Sequence, residues 1–432
     1  MTTDGHRIID DLRAFLDASP SPYHAVSGVV ERLEAAGFAE LVDGAAWSTV
    51  TGGRYVRRGG TIVAWWRSPD AATHTPLRLV GAHTDSPNLR VKPRPDTGRA
   101  GYRQLGVEVY GGVLLNSWLD RDLGLSGRVA LRGAGAAPEL RLVRIDEPVL
   151  RLPQLAIHLD RDVNDKGLVL DRQAHLAPIW GLGSSRSGDF AAFLAAHLDV
   201  TPEAILAWDV MAHDLTPAAL VGADADLLAS ARIDNLLSCH AAVDALLSAS
   251  AAEPSDTAPM ICLFDHEEVG STSSTGADSS VLPALVERIV ATAGGSVEDL
   301  HRCLAGSWCI SADGAHATHP NYTDRHEPEH NIALNGGPVV KINATQRYAT
   351  DAMTQAIAIA ACERAGVPVQ RFVTRSNLPC GSTIGPVTAA RLGIPTVDLG
   401  VAQLAMHSAR ETTGALDPPR LVAALDAFFS LV

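Results

Sequence analysis

The feature that most constrains this chain is a change of rhythm along it. From about residue 203 onward, short apolar runs alternate with helical patterns. Residues 205–210 read as a strand, 233–247 as a helix and 260–264 as a buried strand. The order continues with a helix at 282–293, a strand at 308–311, a helix at 350–364, strands at 369–374 and 395–399, and a helix at 419–431. Strands that alternate with helices bury a central, mostly parallel sheet between two helical layers. Upstream, Ile8, Ile9, Leu12, Phe15 and Leu16 share one helical face. After the Ser-Pro break at 19–22, Val26, Val29, Val30 and Leu33 repeat the pattern, and Gly37 stops it. Strand-like runs follow at 61–66 and 77–80.

Between residues 93 and 225 the rhythm is different. Val107, Val109, Val113, Val129, Leu131, Leu140, Leu142 and Ile145 lie in short alternating runs broken by Gly and Pro. The expected architecture is therefore α/β, with a central mixed, mostly parallel sheet flanked by helices and an inserted β-rich domain. Residues 1–92 and 226–432 form the first domain and 93–225 the insert. The alternative is that the insert's strands extend the main sheet. Residues 248–258 read as a loop.

Composition narrows the function classes. Asp and Glu total 49 against 35 Lys and Arg, a net charge of −14. Such a chain repels phosphate backbones, so no nucleic-acid partner is expected. The first 17 residues carry charges throughout and no apolar signal core, and no apolar run approaches the ~18 residues of a membrane span, so no membrane partner is expected either. The six cysteines include no C-x-x-C pair. They read as reduced thiols of a cytoplasmic protein, not as a disulfide frame or a thiolate zinc site.

Five segments carry carboxylates or imidazoles, most of them just after a strand, where open α/β sheets bind their ligands. They are His83 with Asp85, Asp234, Glu267 with Glu268, Asp313, and His407. Singly, each reads as a satisfied polar residue or a solvated turn. As an ordered set they suit Zn²⁺, and also Mn²⁺ or Co²⁺. One ion would take His83, Asp313 and Asp234, and a second would take His407, Glu268 and the same Asp234. Each keeps an open position for a water that the pair would make nucleophilic. Asp85 is placed to hold the His83 ring. Glu267 is then the free carboxylate, a general base toward that water and later an acid toward the leaving amine; the competing reading is a helix-capping acid. His326-Glu327-Pro328-Glu329-His330 matches H-E-x-x-H, but Pro328 opposes the helix that motif needs. No G-x-S-x-G elbow and no Walker A pattern is present.

These motifs resemble the aspartyl aminopeptidase family over nearly the whole chain. The carriers are Ser19-Pro20-Ser21-Pro22-Tyr23-His24-Ala25, Ala82-His83-Thr84-Asp85-Ser86-Pro87 and Leu119-Asp120-Arg121-Asp122-Leu123. They continue with residues 265–271, 312–322 and 346–350, and with Met406-His407-Ser408-Ala409-Arg410-Glu411. The resemblance implies a zinc-peptidase-like catalytic domain interrupted by a β-rich assembly domain, and two divalent ions per subunit, most simply Zn²⁺. It implies an aminopeptidase that removes Asp or Glu from peptide N-termini and works as a homo-oligomer, a tetrahedral dodecamer. It also implies substrate contacts from His158, His316, Lys341 and Tyr348. His158 would reach a neighbouring subunit's site, although the residues alone leave it equally a third metal-binding imidazole or a surface side chain. Lys341 lies in an apolar run where a cation needs an anionic partner; a substrate carboxylate would supply one, and so would a structural ion pair. Two hydrolase alternatives keep the same metal set: a broad-specificity aminopeptidase and an N-acyl amino acid deacylase. From another class, the chain would be a non-catalytic binding protein, against which the full set of ligands and Glu267 argues.

Overall fold

The computed structural model of the protein describes residues 3–133, 135, 137–252 and 255–431. Met1 and Thr2, and Glu253 and Pro254 of the stretch read as a loop, lie outside the described residues.

The central sheet has nine strands, and its four middle ones, Ala258–Phe264, Leu77–His83, Trp308–Ala312 and Thr396–Gly400, run parallel in that order. Antiparallel neighbours flank them, Thr61–Arg67 on one side and Val339–Ile342 on the other. Every residue of Leu77–His83 and Ala258–Phe264 is buried, as strands covered on both faces must be. The two-residue alternation feeds two cores. Val80, Ala82, Ile261 and Leu263 pack under the helices Thr3–Ala18, Pro22–Ala35, Ile233–Ala251, Ala352–Arg364 and Asp417–Phe429. Leu77, Leu79, Met260 and Cys262 pack under Val281–Thr292 and Ile384–Leu392. The fold is the mixed, mostly parallel α/β sheet flanked by helices that the alternation predicts.

A second sheet of six strands is antiparallel throughout and runs in the chain from Asn88 to Asp214. Its strands share no ladder with the main sheet. The strand expected at 205–210 belongs here and not to the alternating part: Ile205–Asp214 pairs with Leu123–Leu131 and Asn88–Arg99, and sends Val210 and Ala212 into this sheet's own core. The helix Asp189–Leu198 closes that core with Phe190 and Leu194.

Three features depart from the sequence reading. The strand expected to end at residue 80 continues to His83, because its ladder with the next strand carries on through Leu263↔Ala82 and Phe264↔His83. The helices Asp189–Leu198, Val297–Ala305 and Ile384–Leu392 were not anticipated, the first because it lies in the stretch read as all-β. The other two are nine residues long and start at caps: a capping box at Ser296 and a Thr383 side chain that accepts from the Gly385 N–H. A third sheet joins Ala219–Val221, Leu227–Ser230, Glu411–Gly414, Ala402–Leu404 and Ala315–His316. Its strands of two to four residues carry no readable alternation. Among the described residues, no helix is long and apolar enough to cross a membrane, and none of the six cysteines is paired.

Candidate metal centre

The carboxyl ends of the parallel strands converge on one buried cluster. His83 is the last residue of its strand and is 1% exposed. Its Nδ1 donates to the Asp85 carbonyl at 3.0 Å, which turns Nε2 toward Asp234 Oδ1 at 3.2 Å and Asp313 Oδ1 at 3.7 Å. His407 mirrors it. Its Nδ1 donates to the Gly112 carbonyl at 3.0 Å, and its Nε2 faces Asp234 Oδ2 and Glu268 Oε2, both at 3.4 Å. Asp234 therefore divides its two oxygens between the two histidines. It lies at the start of the helix Ile233–Ala251, where Asp234 and Asn235 leave helical geometry across a cis peptide bond. The Asp234 N–H donates to Glu411, and the Asp234 carbonyl accepts from Ser86.

These spacings test whether the residues fit divalent cations. Two ligand atoms of a tetrahedral Zn²⁺ site, with bonds of about 2.0 Å, stand roughly 3.3 Å apart. A charge-assisted hydrogen bond would draw the same pairs to about 2.8 Å. The four imidazole–carboxylate spacings, 3.2 to 3.7 Å, fit the first pattern. The ligand atoms of His83, Asp234 and Glu268 lie within 4.8 Å of one another. Asp234 Oδ1 and Glu268 Oε1 are buried with no hydrogen-bond partner, a costly state that a cation relieves.

The electrostatics agree. Burial, then the nearby Asp234 carboxylate, pushes Glu268 well above the usual carboxylate range. Burial opposes the charge on Asp234 as well, but the His407 and His83 rings outweigh it and hold Asp234 low. Burial would depress His83, yet Asp234, Asp313 and Asp85 together hold it well above 6.5. So many carboxylates in one dry site demand positive charge, and among the described residues the His83 and His407 imidazoles and Lys341 supply it at close range.

Asp85 is fully buried and joins several parts of the site. Its carboxylate accepts the N–H groups of Glu267 and Glu268, each at 3.1 Å, and the Tyr110 hydroxyl at 2.7 Å. Burial raises its pKa, but the His83 ring, the Tyr110 hydroxyl and the Glu268 N–H outweigh this and keep it ionised. Glu267 follows a turn through His266 at φ 66°. Its carboxylate takes no hydrogen bond among the described residues, and desolvation, eased by His83 and reinforced by Asp313, Asp234 and Asp85, raises it to about 7.

The predicted substrate residues divide into two groups. His316, Lys341 and Tyr348 come together beside Asp313. Lys341 is 1% exposed; its Nζ donates to Asp313 Oδ2 at 3.2 Å and to the Gly314 carbonyl at 3.0 Å, and lies 5.0 Å from the Tyr348 ring centre. The anionic partner that Lys341 needs is thus present within the chain. The structure does not bring His158 to this cluster: it sits exposed in a turn of the 151–178 stretch and makes no described contact with the metal-ligand set. The H-E-x-x-H segment forms no helix. His326 accepts from the His319 N–H, while His330 binds Glu327.

Sequence reasoning missed three contributors. Glu411, 1% exposed, accepts from the N–H groups of both His407 (2.6 Å) and Asp234 (2.9 Å) and so ties ligands far apart in the chain. Its place four residues beyond His407 was visible, but nothing local marks a buried acceptor. Tyr110 comes from the second sheet, and no linear signal links it to Asp85. Phe372 packs edge-on against His316 and Tyr348, an apolar wall read only as part of a strand.

The family model for aminopeptidase I zinc metalloproteases (M18) matches residues 15–429. A probable M18 family aminopeptidase 2 of Streptomyces coelicolor is 55% identical over 421 residues, covering 97% of this chain and 96% of that relative. A chain from the cryo-EM structure of the Ape4 and Nbr1 complex superposes with a TM-score of 0.95 at 34% identity, covering 99% of this chain and 86% of that one. A chain of the S. cerevesiae mApe1 dodecamer superposes at 0.84 with 28% identity, covering 99% and 96%. A match over almost the full length, joined to a buried ligand set with the spacing of a metal site, shows that the chain belongs to the aminopeptidase I zinc metalloprotease (M18) family and is a zinc aminopeptidase.

Proposed function

We propose that this aminopeptidase uses two divalent ions per chain and prefers peptides that begin with Asp or Glu. His83 and Asp313 would hold one ion, His407 and Glu268 the other, and Asp234 both. The observation that carries this reading is the division of Asp234, with Oδ1 toward His83 and Oδ2 toward His407. When bound, such ions act as Lewis acids on the scissile carbonyl and make a water acidic enough to deprotonate at neutral pH. The protein's own groups do the rest. Glu267, free of hydrogen bonds and raised toward neutrality, takes the proton of the attacking water and returns it to the leaving amine. Asp85 holds the His83 ring on one side and the Glu267–Glu268 turn on the other, so base and ligands keep a common frame. His316, Tyr348 and Lys341, with Phe372 behind them, form the wall that receives the N-terminal side chain.

Residues 93–225 are proposed as the assembly domain. The stretch 151–178 exposes Leu155, Ile157, Leu159, Leu168 and Val169, an apolar surface that a water-exposed chain seldom leaves uncovered, and His158 lies among them. One of the matched structures is a dodecamer, and the same assembly, in the cytoplasm, is proposed here, with His158 reaching a neighbouring subunit's site.

One observation favours a second reading, the broad-specificity aminopeptidase: Lys341 already has Asp313 as its partner. Metal analysis together with a panel of aminoacyl amides tests both. Two zinc ions per chain and fastest turnover of Asp and Glu amides are expected. One ion per chain would end the dinuclear reading, and equal turnover of neutral amides would favour broad specificity. Activity on N-acetylated substrates would point to a deacylase. Glu267→Gln is expected to lower kcat by about 10² to 10⁴ with metal content unchanged; wild-type turnover in that variant would remove Glu267 from the mechanism.

A further inference from the structure

We infer that residues 110–114, where the strand Tyr102–Tyr110 leaves the second sheet, form a clasp that sets Glu268 and His407 and so governs one of the two metal positions selectively. The inference rests on the dinuclear reading above. His407 is held at two points by this stretch: the Gly112 carbonyl accepts from ring Nδ1 at 3.0 Å, and the Leu114 N–H donates to the His407 carbonyl at 3.0 Å. The backbone lies directly on both ligands. A Cβ at Gly111, which sits at φ +75°, would stand 3.1 Å from Glu268 Cβ; a Cβ at Gly112 would stand 3.0 Å from His407 Nδ1. Tyr110 completes the contact by donating to Asp85 Oδ2, the oxygen that also accepts the Glu268 N–H.

The other position is held differently. The His83 ring rests on the Asp85 carbonyl, the Asp313 N–H donates to Leu399, and Lys341 pairs with Asp313. All of these belong to the main sheet or its loops; none of the described contacts of His83 or Asp313 is directly with residues 110–114, which reach His83 at one remove, through Tyr110 on the Asp85 carboxylate. A displacement of the second sheet therefore reaches the Glu268–His407 position first. Metal sites tolerate ligand shifts of only about 0.2 Å, and losing an outer hydrogen-bond partner of a ligand typically costs 10–100-fold in affinity.

The test is zinc uptake of the full chain against a competing chelator, in wild type and in Gly112→Ala and Gly111→Ala. Wild type should resolve two affinities, and His407→Ala and His83→Ala should each remove a different one. Each glycine variant should weaken the affinity that His407→Ala removes by about 10–100-fold and leave the other within a factor of two. Metal-free Gly112→Ala should melt with metal-free wild type, which separates this effect from misfolding; Gly111→Ala carries the added backbone strain of φ +75° and should melt somewhat lower even without metal. Equal weakening of both affinities, or weakening of neither, overturns the inference. A wild type that takes up a single zinc refutes the dinuclear reading instead, and the inference falls with it.

Discussion

At the scale of single residues, the site is a problem in neutralising carboxylates. Asp85, Asp234, Glu267, Glu268 and Asp313 converge in a region largely closed to water. The His83 and His407 rings that face them are drawn toward their charged form, while burial and then the Lys341 cation hold His316 below 6.5. Lys341 is the one fully buried lysine, and it stabilises Asp313 before it can act on anything else. Among the described residues Nζ has two hydrogen-bond acceptors for its three donors, and the Tyr348 ring centre lies 5.0 Å away. Lys341→Met should therefore have two separable effects: a loss of kcat/KM on all substrates through Asp313, and a further loss of about tenfold or more on Asp and Glu substrates, the scale of one charge-assisted contact. Steady-state kinetics on paired acidic and neutral amides reads the ratio. An unchanged ratio means that the cation acts only through Asp313. The residues that converge were legible in the linear order His, Asp, Glu-Glu, Asp, His, since carboxylate and imidazole side chains at strand ends have few other uses in such number. Glu411 and Tyr110 were not legible, because an acceptor or donor that serves another side chain leaves no pattern of its own.

At the scale of elements, the parallel strands place the ligands and the helices seal the sheet. The helix Pro22–Ala35 makes a test of that sealing. His24 lies in its first turn, beside the positive end of the helix dipole, with Nδ1 2.7 Å from Ser21 Oγ. Burial, and then the Arg144 cation, lowers its pKa to about 4 from 6.5. The folded protein thus holds His24 neutral where the unfolded chain would protonate it. Stability from this source is complete above pH 6.5 and is lost as pH falls toward 4, roughly 3 kcal/mol in all. Thermal melts between pH 7 and 4.5 should fall steeply in wild type and less steeply in His24→Gln; parallel slopes would show that His24 is already protonated in the fold. Helices of twelve or more residues, and strands buried along their whole length, could be read from their period. The short ones could not. Val297–Ala305 and Ile384–Leu392 depend on caps, and the third sheet depends on partners that only the folded chain brings alongside.

At the scale of the whole molecule, two sheets meet at one site. The main sheet carries His83, Glu268 and Asp313, while the second sheet supplies Tyr110, Gly112 and the exposed apolar stretch 151–178. Replacing Leu155, Leu159 and Val169 by serine should convert the proposed assembly to smaller species in light scattering. The metal-free subunit's fold should persist, since Leu155, Leu159 and Val169 are 63%, 75% and 84% exposed and make no core. An unchanged mass would place the subunit contacts elsewhere. The sequence by itself determined the layered α/β class and the residue types of the proposed ligand set, because burial period and residue type are properties of residues in order. Only the tertiary structure decided that Asp234 divides its oxygens between two histidines, that Lys341 answers to Asp313, and that a loop of the second sheet rests on Glu268 and His407. Those are relations between groups up to about 300 positions apart, as the Gly112 carbonyl and the His407 ring are; they are set by distances that packing fixes and that no local pattern encodes.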